Sequence, residues 1–401
     1  MSTVLILGAG MVGVSSALAL QECGHEVTLI DRRGPGQETS FGNAGFIQTE
    51  AVEPYAMPLA LRDLARIGLG RSGDVRWTPG GVLAQARALL AYAGHSRSAQ
   101  FARAVATYRR LIPASATAHA PWIAAAGADN LIRRDGYLEI HRTPAGMARA
   151  AVMADRFSRD YDVPAEVMDA DALAAAEPDL RQRLAGAVLW GGTWTCADPG
   201  GLVAAYAALF VARGGQIVQG DAGDLARDGA GWRAAGVSAQ HAVIALGPWS
   251  PGLCARFGLR VPMILKRGYH QHFQGAAPLN RPLVDADHGV VLTPMRAGLR
   301  ICTAADLRRT PHPAPPQLAR GLSAARGLLG VGDPAGPVWS GQRPCMPDML
   351  PVVGAVPGQP GLWAHFGHGH QGFTLGPVTA AILAEAMDGG GWPELAPARL
   401  G

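Results

Sequence analysis

Gly8-Ala9-Gly10-Met11-Val12-Gly13, followed 18 residues later by Asp31, is an arrangement able to hold a dinucleotide. Gly8 permits a tight turn, Gly10 lets a pyrophosphate approach the backbone, and Gly13 lets a helix pack closely on a strand. A helix opening there directs amide N–H groups and the positive end of its dipole at phosphate. Asp31 stands where a carboxylate accepts from a ribose hydroxyl, and Arg32 beside it is of the type that suits a 2′-phosphate. The competing reading is a coincidental glycine-rich turn, and the flanking elements decide against it.

Val4-Leu5-Ile6-Leu7 is a continuous apolar run of the kind buried on both faces of a parallel sheet. Helical spacing from Val14 to Cys23 ends at Gly24, and His25 to Ile30 reads as a second strand, completing a βαβ unit. A second glycine-rich turn, Ser40 to Gly45, follows. Later come a helical stretch from Pro199 to Arg213, a strand after Gly214-Gly215, and the strand His241 to Leu246 running into Gly247-Pro248-Trp249-Ser250. Near the C-terminus, Gly361 to Phe366 reads as a strand entering Gly367-His368-Gly369-His370-Gln371-Gly372-Phe373. A helix is expected from about Gly376 to Met387 with Pro377 in its first turn. No second GxGxxG unit offers itself to a separate nicotinamide cofactor. One cofactor met by both ends of the chain suits FAD, with its AMP half on the first unit and its flavin toward the last helix. Lys266 to Phe273, Gly289 to Pro294 and Gly298 to Thr303 read as short strands of an antiparallel sheet, and Pro311 to Pro316 as a connector.

At 401 residues the chain has room for two or three domains, and 48% hydrophobic against 16% charged residues excludes disorder. A net charge of +4 gives no reason to expect nucleic acid. Lys266 is the single lysine, a bias that reads as genomic base composition. Residues 51–150 hold 13 arginines against 6 acidic residues, either a solvated helical face or a surface for an anionic membrane. Five scattered cysteines, Cys23, Cys196, Cys254, Cys302 and Cys345, argue for a reducing compartment and against a zinc site or disulfide framework, so no metal is expected. Val4 to Leu20 is broken by three glycines, and no transmembrane helix or export signal is expected.

Taken in order, VLILGAGMVG with Asp31, TSFGNAG, VIALGPWS, Gly341-Gln342-Arg343-Pro344-Cys345-Met346-Pro347-Asp348 and GHGHQGFTLGP resemble the D-amino-acid oxidase superfamily of flavoproteins. Within it the chain is most similar to bacterial FAD-dependent D-amino-acid dehydrogenases, over nearly its whole length. The resemblance implies an α/β fold, α+β in its two domains: a Rossmann-like FAD-binding domain interleaved with an antiparallel-sheet substrate domain carrying helices. The implied segments are 1–50, 150–255 and 335–401 for FAD, and 51–149 and 256–334 for the substrate. Implied cofactor contacts are Gly8, Ala9, Gly10, Met11, Val12, Gly13, Asp31 and Arg32, then Ser40, Asn43, Ala44 and Gly45. To these it adds Ala222, Ala245, Gly247 and Trp249 in the middle, and Gly369, His370, Gln371, Gly372, Phe373 and Thr374 near the end.

The implied chemistry is hydride removal from an amino acid Cα, giving an imino acid and then a 2-oxo acid and ammonia. In the family an arginine in a G-x-R-P turn, here Arg343, binds the substrate carboxylate with its planar fork. Tyr269 is a candidate for the carboxylate or amine, and His288 for a proton, although packing roles serve both equally well. The position of the cysteine that holds flavin covalently in some relatives falls near Gly341, so non-covalent FAD is expected. Arg300 stands where certain oxidases carry a lysine used with oxygen, which favours a dehydrogenase passing electrons to a quinone or carrier. A cytoplasmic enzyme, peripheral on the inner face of the membrane, is the corresponding location. The alternatives are an oxidase or dehydrogenase of the sarcosine, glycine, proline or hydroxyproline type, mostly secondary amines, and, in another class, a nicotinamide-dependent dehydrogenase or non-catalytic nucleotide-binding protein. Oligomeric state is not legible.

Overall fold

Thr3–Leu7 lies in the interior of a sheet because each of Val4, Leu5, Ile6 and Leu7 finds an apolar neighbour: none is more than 1% exposed. Val4 and Ile6 join one core with Met11, Leu18 and Leu375, whereas Leu5 and Leu7 join another with Trp232, Leu253 and Phe366. A strand apolar on both faces therefore has layers on both. A computed structural model of the chain describes residues 1–400 apart from 71, 72 and 74.

The sheet order is Gln216–Gln219, Glu26–Asp31, Thr3–Leu7, His241–Ile244, Leu362–Phe366, Val352–Ala355. The first five strands are parallel and the last pairs antiparallel. Helix Met11–Glu22 follows the first strand. Gly8, at φ +106°, makes the turn, and a Cβ on Gly13 would lie 1.8 Å from the Gly8 carbonyl oxygen, so helix and strand approach only because position 13 is bare.

A larger sheet forms the second layer system, centred on Ile264–Phe273 between Gly298–Thr303 and Trp339–Cys345. It continues through Val290–Met295, Leu283–Asp285, Tyr137–His141, Gly186–Trp190 and Ala165–Asp169. Most pairs of this sheet are antiparallel, as expected, while Leu283–Asp285 runs parallel to Tyr137–His141. Pairing also moves three strands from the expected nucleotide segments into this sheet: Ala165–Asp169, Gly186–Trp190 and Trp339–Cys345.

The C-terminal helix runs Gly372–Met387, starting one turn before the expected Gly376 and carrying Pro377 inside it. An interior proline frees the carbonyl four residues back. Here that is Phe373 O, which accepts instead from His119 Nε2 at 3.0 Å, while His119 Nδ1 lies 2.8 Å from the Tyr206 hydroxyl. Burial pulls His119 down to about 4, so the imidazole is neutral, and the nitrogen facing two carbonyl oxygens carries its proton.

Candidate active site

A cavity of about 1520 Å³ opens between the two sheets and reaches from the Gly8 turn to Arg343. At its first end Gly8, Gly10, Met11 and Val12 form the wall. The N-cap residue Gly10 offers the first-turn amides no side chain, and Met11 N–H donates to Ser40 Oγ at 2.9 Å. A Cβ on Gly8 would stand 2.7 Å from Ala245 O, and one on Gly10 3.2 Å from Ser40 Oγ. Gly8 thus cannot carry a Cβ without displacing backbone, and the cradle left bare here fits a pyrophosphate.

Asp31 closes the second strand and lines the cavity. Its Oδ2 accepts from Ala9 N–H at 2.8 Å, and its Oδ1 from Arg33 N–H at 2.8 Å and Gly34 N–H at 3.0 Å. Three amides fix the carboxylate where a ribose hydroxyl can donate to it. Arg32 also lines this end; it pairs with Glu38 at 2.8 Å and lies 4.4 Å over the Trp249 ring. Ala222, Ala245, Gly247 and Trp249 also line this end. Ala9 and Gly13 act behind the wall, through the Asp31 bond and helix packing.

The Ser40 turn reaches toward the other end. Asn43 Oδ1 accepts from Gly45 N–H at 2.7 Å, and Ala44 O from Thr293 Oγ1 at 3.0 Å. Arg300, 3% exposed, donates to Phe41 O, Asn43 O and His272 Nε2. It staples the turn to the larger sheet rather than facing the cavity. Gly45, at φ +85°, sits behind Asn43 and Ala44, which line the cavity.

From the C-terminal loop, Gly369, His370, Gly372 and Phe373 line the same space. Burial, with Arg343 and Lys266 nearby, pulls His370 down to about 3, so it is neutral. Gln371 and Thr374 are corrected as wall residues: Gln371 Nε2 donates to Gln48 Oε1 at 2.9 Å and Thr374 Oγ1 to Phe46 O at 3.2 Å, both inside the protein.

Arg343 emerges from Trp339–Cys345 into the cavity. Its Nη1 donates to Ala304 O at 3.3 Å and its Nη2 to Thr303 O at 3.1 Å. No ion pair among the described residues includes it, although burial alone weighs against its charge. With two of five N–H donors used, Nε–H and one N–H on each terminal nitrogen remain for a carboxylate.

Of two expected neighbours, Tyr269 lines the cavity and His288 does not. Strand alternation puts Lys266, Gly268 and His270 on the Arg343 side of Ile264–Phe273 and Tyr269 on the other. The Tyr269 hydroxyl donates to Asp306 Oδ2 and accepts from His312 N–H, each at 3.0 Å. His288 lies in the turn after Leu283–Asp285 with Nδ1 3.1 Å from Asp285 Oδ2, outside the wall. The Tyr269 hydroxyl and the His288 imidazole are thus both engaged within the protein. What sequence reasoning missed is Lys266, whose place opposite the G-x-R-P arginine depends on strand register, and Tyr55 and Tyr92, which come from a loop and helix without a motif. Among the described residues, no cluster of His, Cys, Asp and Glu could hold a metal.

Residues 3–386 match the family model described as FAD dependent oxidoreductase. A protein named D-amino acid dehydrogenase from Cereibacter sphaeroides is 33% identical over 423 residues, covering 99% of this chain and 94% of the relative. One named D-amino-acid oxidase from Bradyrhizobium diazoefficiens is 30% identical, covering 96% and 95%. Among solved structures, glycine oxidase from Geobacillus kaustophilus superposes with a TM-score of 0.70 at 22% identity, covering 98% of this chain and 96% of that one, a likeness of fold.

Proposed function

The chain belongs to the FAD dependent oxidoreductase family, and from that premise we propose that it is a D-amino-acid dehydrogenase. The observation that carries the reading is Arg343, a cavity arginine whose acceptors are two backbone carbonyls and whose remaining donors suit one carboxylate. Gly8, Gly10, Met11 and Asp31 would hold the nucleotide half of FAD, and Gly369, Gly372 and Phe373 would border its ring. FAD, when bound, accepts two electrons as a hydride from the substrate Cα. Arg343 fixes the carboxylate, and so the direction of the Cα–H bond, which is what makes the transfer unimolecular. Two cations at this end of the cavity, Arg343 and Lys266, disfavour a third positive charge, so the substrate amine reacts as NH2. The amino acid loses a hydride and the amine proton to give the imino acid, which water converts to 2-oxo acid and ammonia. The test is stoichiometry: one ammonia and one 2-oxo acid per two electrons delivered to an artificial acceptor. N-methyl amines as the only substrates would replace the reading with the secondary-amine one, and stoichiometric peroxide in air would make the enzyme an oxidase.

The FAD is held without a covalent bond. Gly341 lies under the Trp339 ring, where a Cβ would be 2.1 Å from it, and burial pushes the Cys345 thiol up, so it stays protonated and a poor nucleophile. Acid precipitation releases the flavin; flavin in the pellet contradicts this.

Electrons leave to a quinone or carrier at a membrane face. No helix among the described residues is long and apolar enough to cross a membrane. Leu61 (84% exposed), Leu83 (78%) and Leu90 (74%) instead project beside exposed Arg62, Arg66, Arg87 and Arg97. Val82 and Leu89, neighbours of two of these leucines, turn inward to the cavity, and Arg71 lies outside the described residues. Each arginine near an anionic surface contributes about 1 kcal/mol. Sedimentation with anionic liposomes at low salt, lost at high salt, supports docking; none at low salt refutes it.

A further inference from the structure

In the antiparallel pairing of Ile264–Phe273 with Trp339–Cys345, Lys266 stands directly opposite Arg343. Side chains so placed share one face with Cβ atoms roughly 4.5–5.5 Å apart, and like charges there are destabilising. Both line the cavity, and no ion pair among the described residues includes either. The Lys266 ammonium lies 4.3 Å over the Tyr92 ring and 3.3 Å from its hydroxyl oxygen. Tyr92 in turn donates to Tyr55 O, which leaves its oxygen to accept from the ammonium. The neighbouring Cys345 and His370 are both held neutral by burial. Of the carboxylates that line the cavity, Glu50 is taken up by Thr193 and Tyr137, Glu53 by Arg156 and Tyr161, and Glu139 by Trp190, so none of these pairs with either cation. An α-carboxylate on Arg343 balances one of the two positive charges.

We propose that Lys266 receives a second carboxylate, so that the substrates this site favours are amino dicarboxylates, α-amino acids with a short acidic side chain. This rests on the dehydrogenase reading for its amine and on the strand register for its two charges. Lys266 is then a specificity-determining residue, with Tyr92 fixing its ammonium by ring face and hydroxyl. A single carboxylate shared by both cations is the competing arrangement, and it makes a different prediction for neutral side chains.

The experiment is calorimetric titration of the holoenzyme with succinate against succinamate and glutarate against glutaramate, which differ in one charge at nearly constant shape. The wild-type protein should bind at least one diacid about tenfold or more tighter than its monoamide, that being 1.4 kcal/mol for the second ion pair. Lys266→Met should bring that ratio close to one, and Lys266→Arg should keep most of it. A wild-type ratio near one overturns the proposal, as does a ratio that survives Lys266→Met. So does a parallel fall in affinity for diacid and monoamide, which would mean that Lys266 shares the α-carboxylate. Anaerobic flavin reduction by D-aspartate and D-glutamate against D-asparagine and D-glutamine separates the two layers. A tenfold binding ratio with no reduction by any D-amino acid sustains the second carboxylate site and defeats the dehydrogenase reading instead.

Discussion

Arg343 does two jobs with one guanidinium: two N–H groups tie it to Thr303 and Ala304 carbonyls, and the rest face the cavity. A charge-assisted hydrogen bond contributes about 1.5–3 kcal/mol. Losing a bidentate pair in Arg343→Ala should therefore raise the apparent substrate constant by at least tenfold to a hundredfold, with a slower flavin reduction as orientation is lost. Arg343→Lys should recover little, because an ammonium lacks the fork. Stopped-flow reduction of both variants checks this, and near wild-type rates in the alanine variant contradict it. That Arg343 lines the cavity was legible because its turn has a sequence signature. Tyr269 borders the cavity with its hydroxyl committed to Asp306 and His312, which the sequence could not show: alternation along Arg267–Phe273 shows that two faces exist, but not which one Arg343 shares. That is fixed by the register with Trp339–Cys345, formed more than 60 residues later in the chain. Lys266 went unread for the same reason. His288 reads as a free imidazole until the fold places the Asp285 carboxylate against it.

The helix Gly372–Met387 shows what local signals miss. Pro377 near an expected N-terminus reads as a first-turn proline, yet the helix begins earlier because His119, from Ser115–Ala125, takes up the carbonyl that the proline frees. A partner 254 residues away leaves no mark near Pro377. His119→Ala leaves Phe373 O without its imidazole donor, while the Tyr206 hydroxyl keeps the main-chain carbonyl at position 119, and an unsatisfied buried group costs about 1–3 kcal/mol. Urea unfolding should show that loss as a lower midpoint with an unchanged slope. Since Phe373 lines the cavity, flavin affinity should fall with it. A variant within about 0.5 kcal/mol of wild type would show the contact to be dispensable. By contrast, the first βαβ unit was fully legible, because its glycines, apolar run and Asp31 act on neighbours within 31 residues.

For the molecule as a whole, stability must depend on pH through its buried histidines. Burial depresses His119 to about 4 and His368 to about 3, and lowers His365 as well, beside Ser16 Oγ at 2.6 Å and Thr379 Oγ1 at 2.8 Å. Below pH 6.5 the unfolded chain binds protons at these rings that the folded chain refuses. Unfolding free energy therefore falls as pH drops from about 6.5 toward 4, by at most about 1.4 kcal/mol per pH unit for each ring. Thermal unfolding of the holoprotein at pH 7, 6 and 5 should show a steepening loss, and a flat profile would contradict the neutral assignments. At this scale the βαβ start and the return of the chain's end to the same sheet were legible, while the mixed sheet and its strand membership were not, since pairing partners are set by the fold. The account centres on one cavity in which FAD and the Arg343 fork meet a D-amino acid. Its most direct test is the visible flavin band of the purified protein under anaerobic conditions, followed as D- and L-enantiomers of one amino acid are added in turn. The account predicts a yellow protein that bleaches with the D-enantiomer and not with the L-enantiomer; a protein without flavin, or one bleached only by the L-enantiomer, contradicts it.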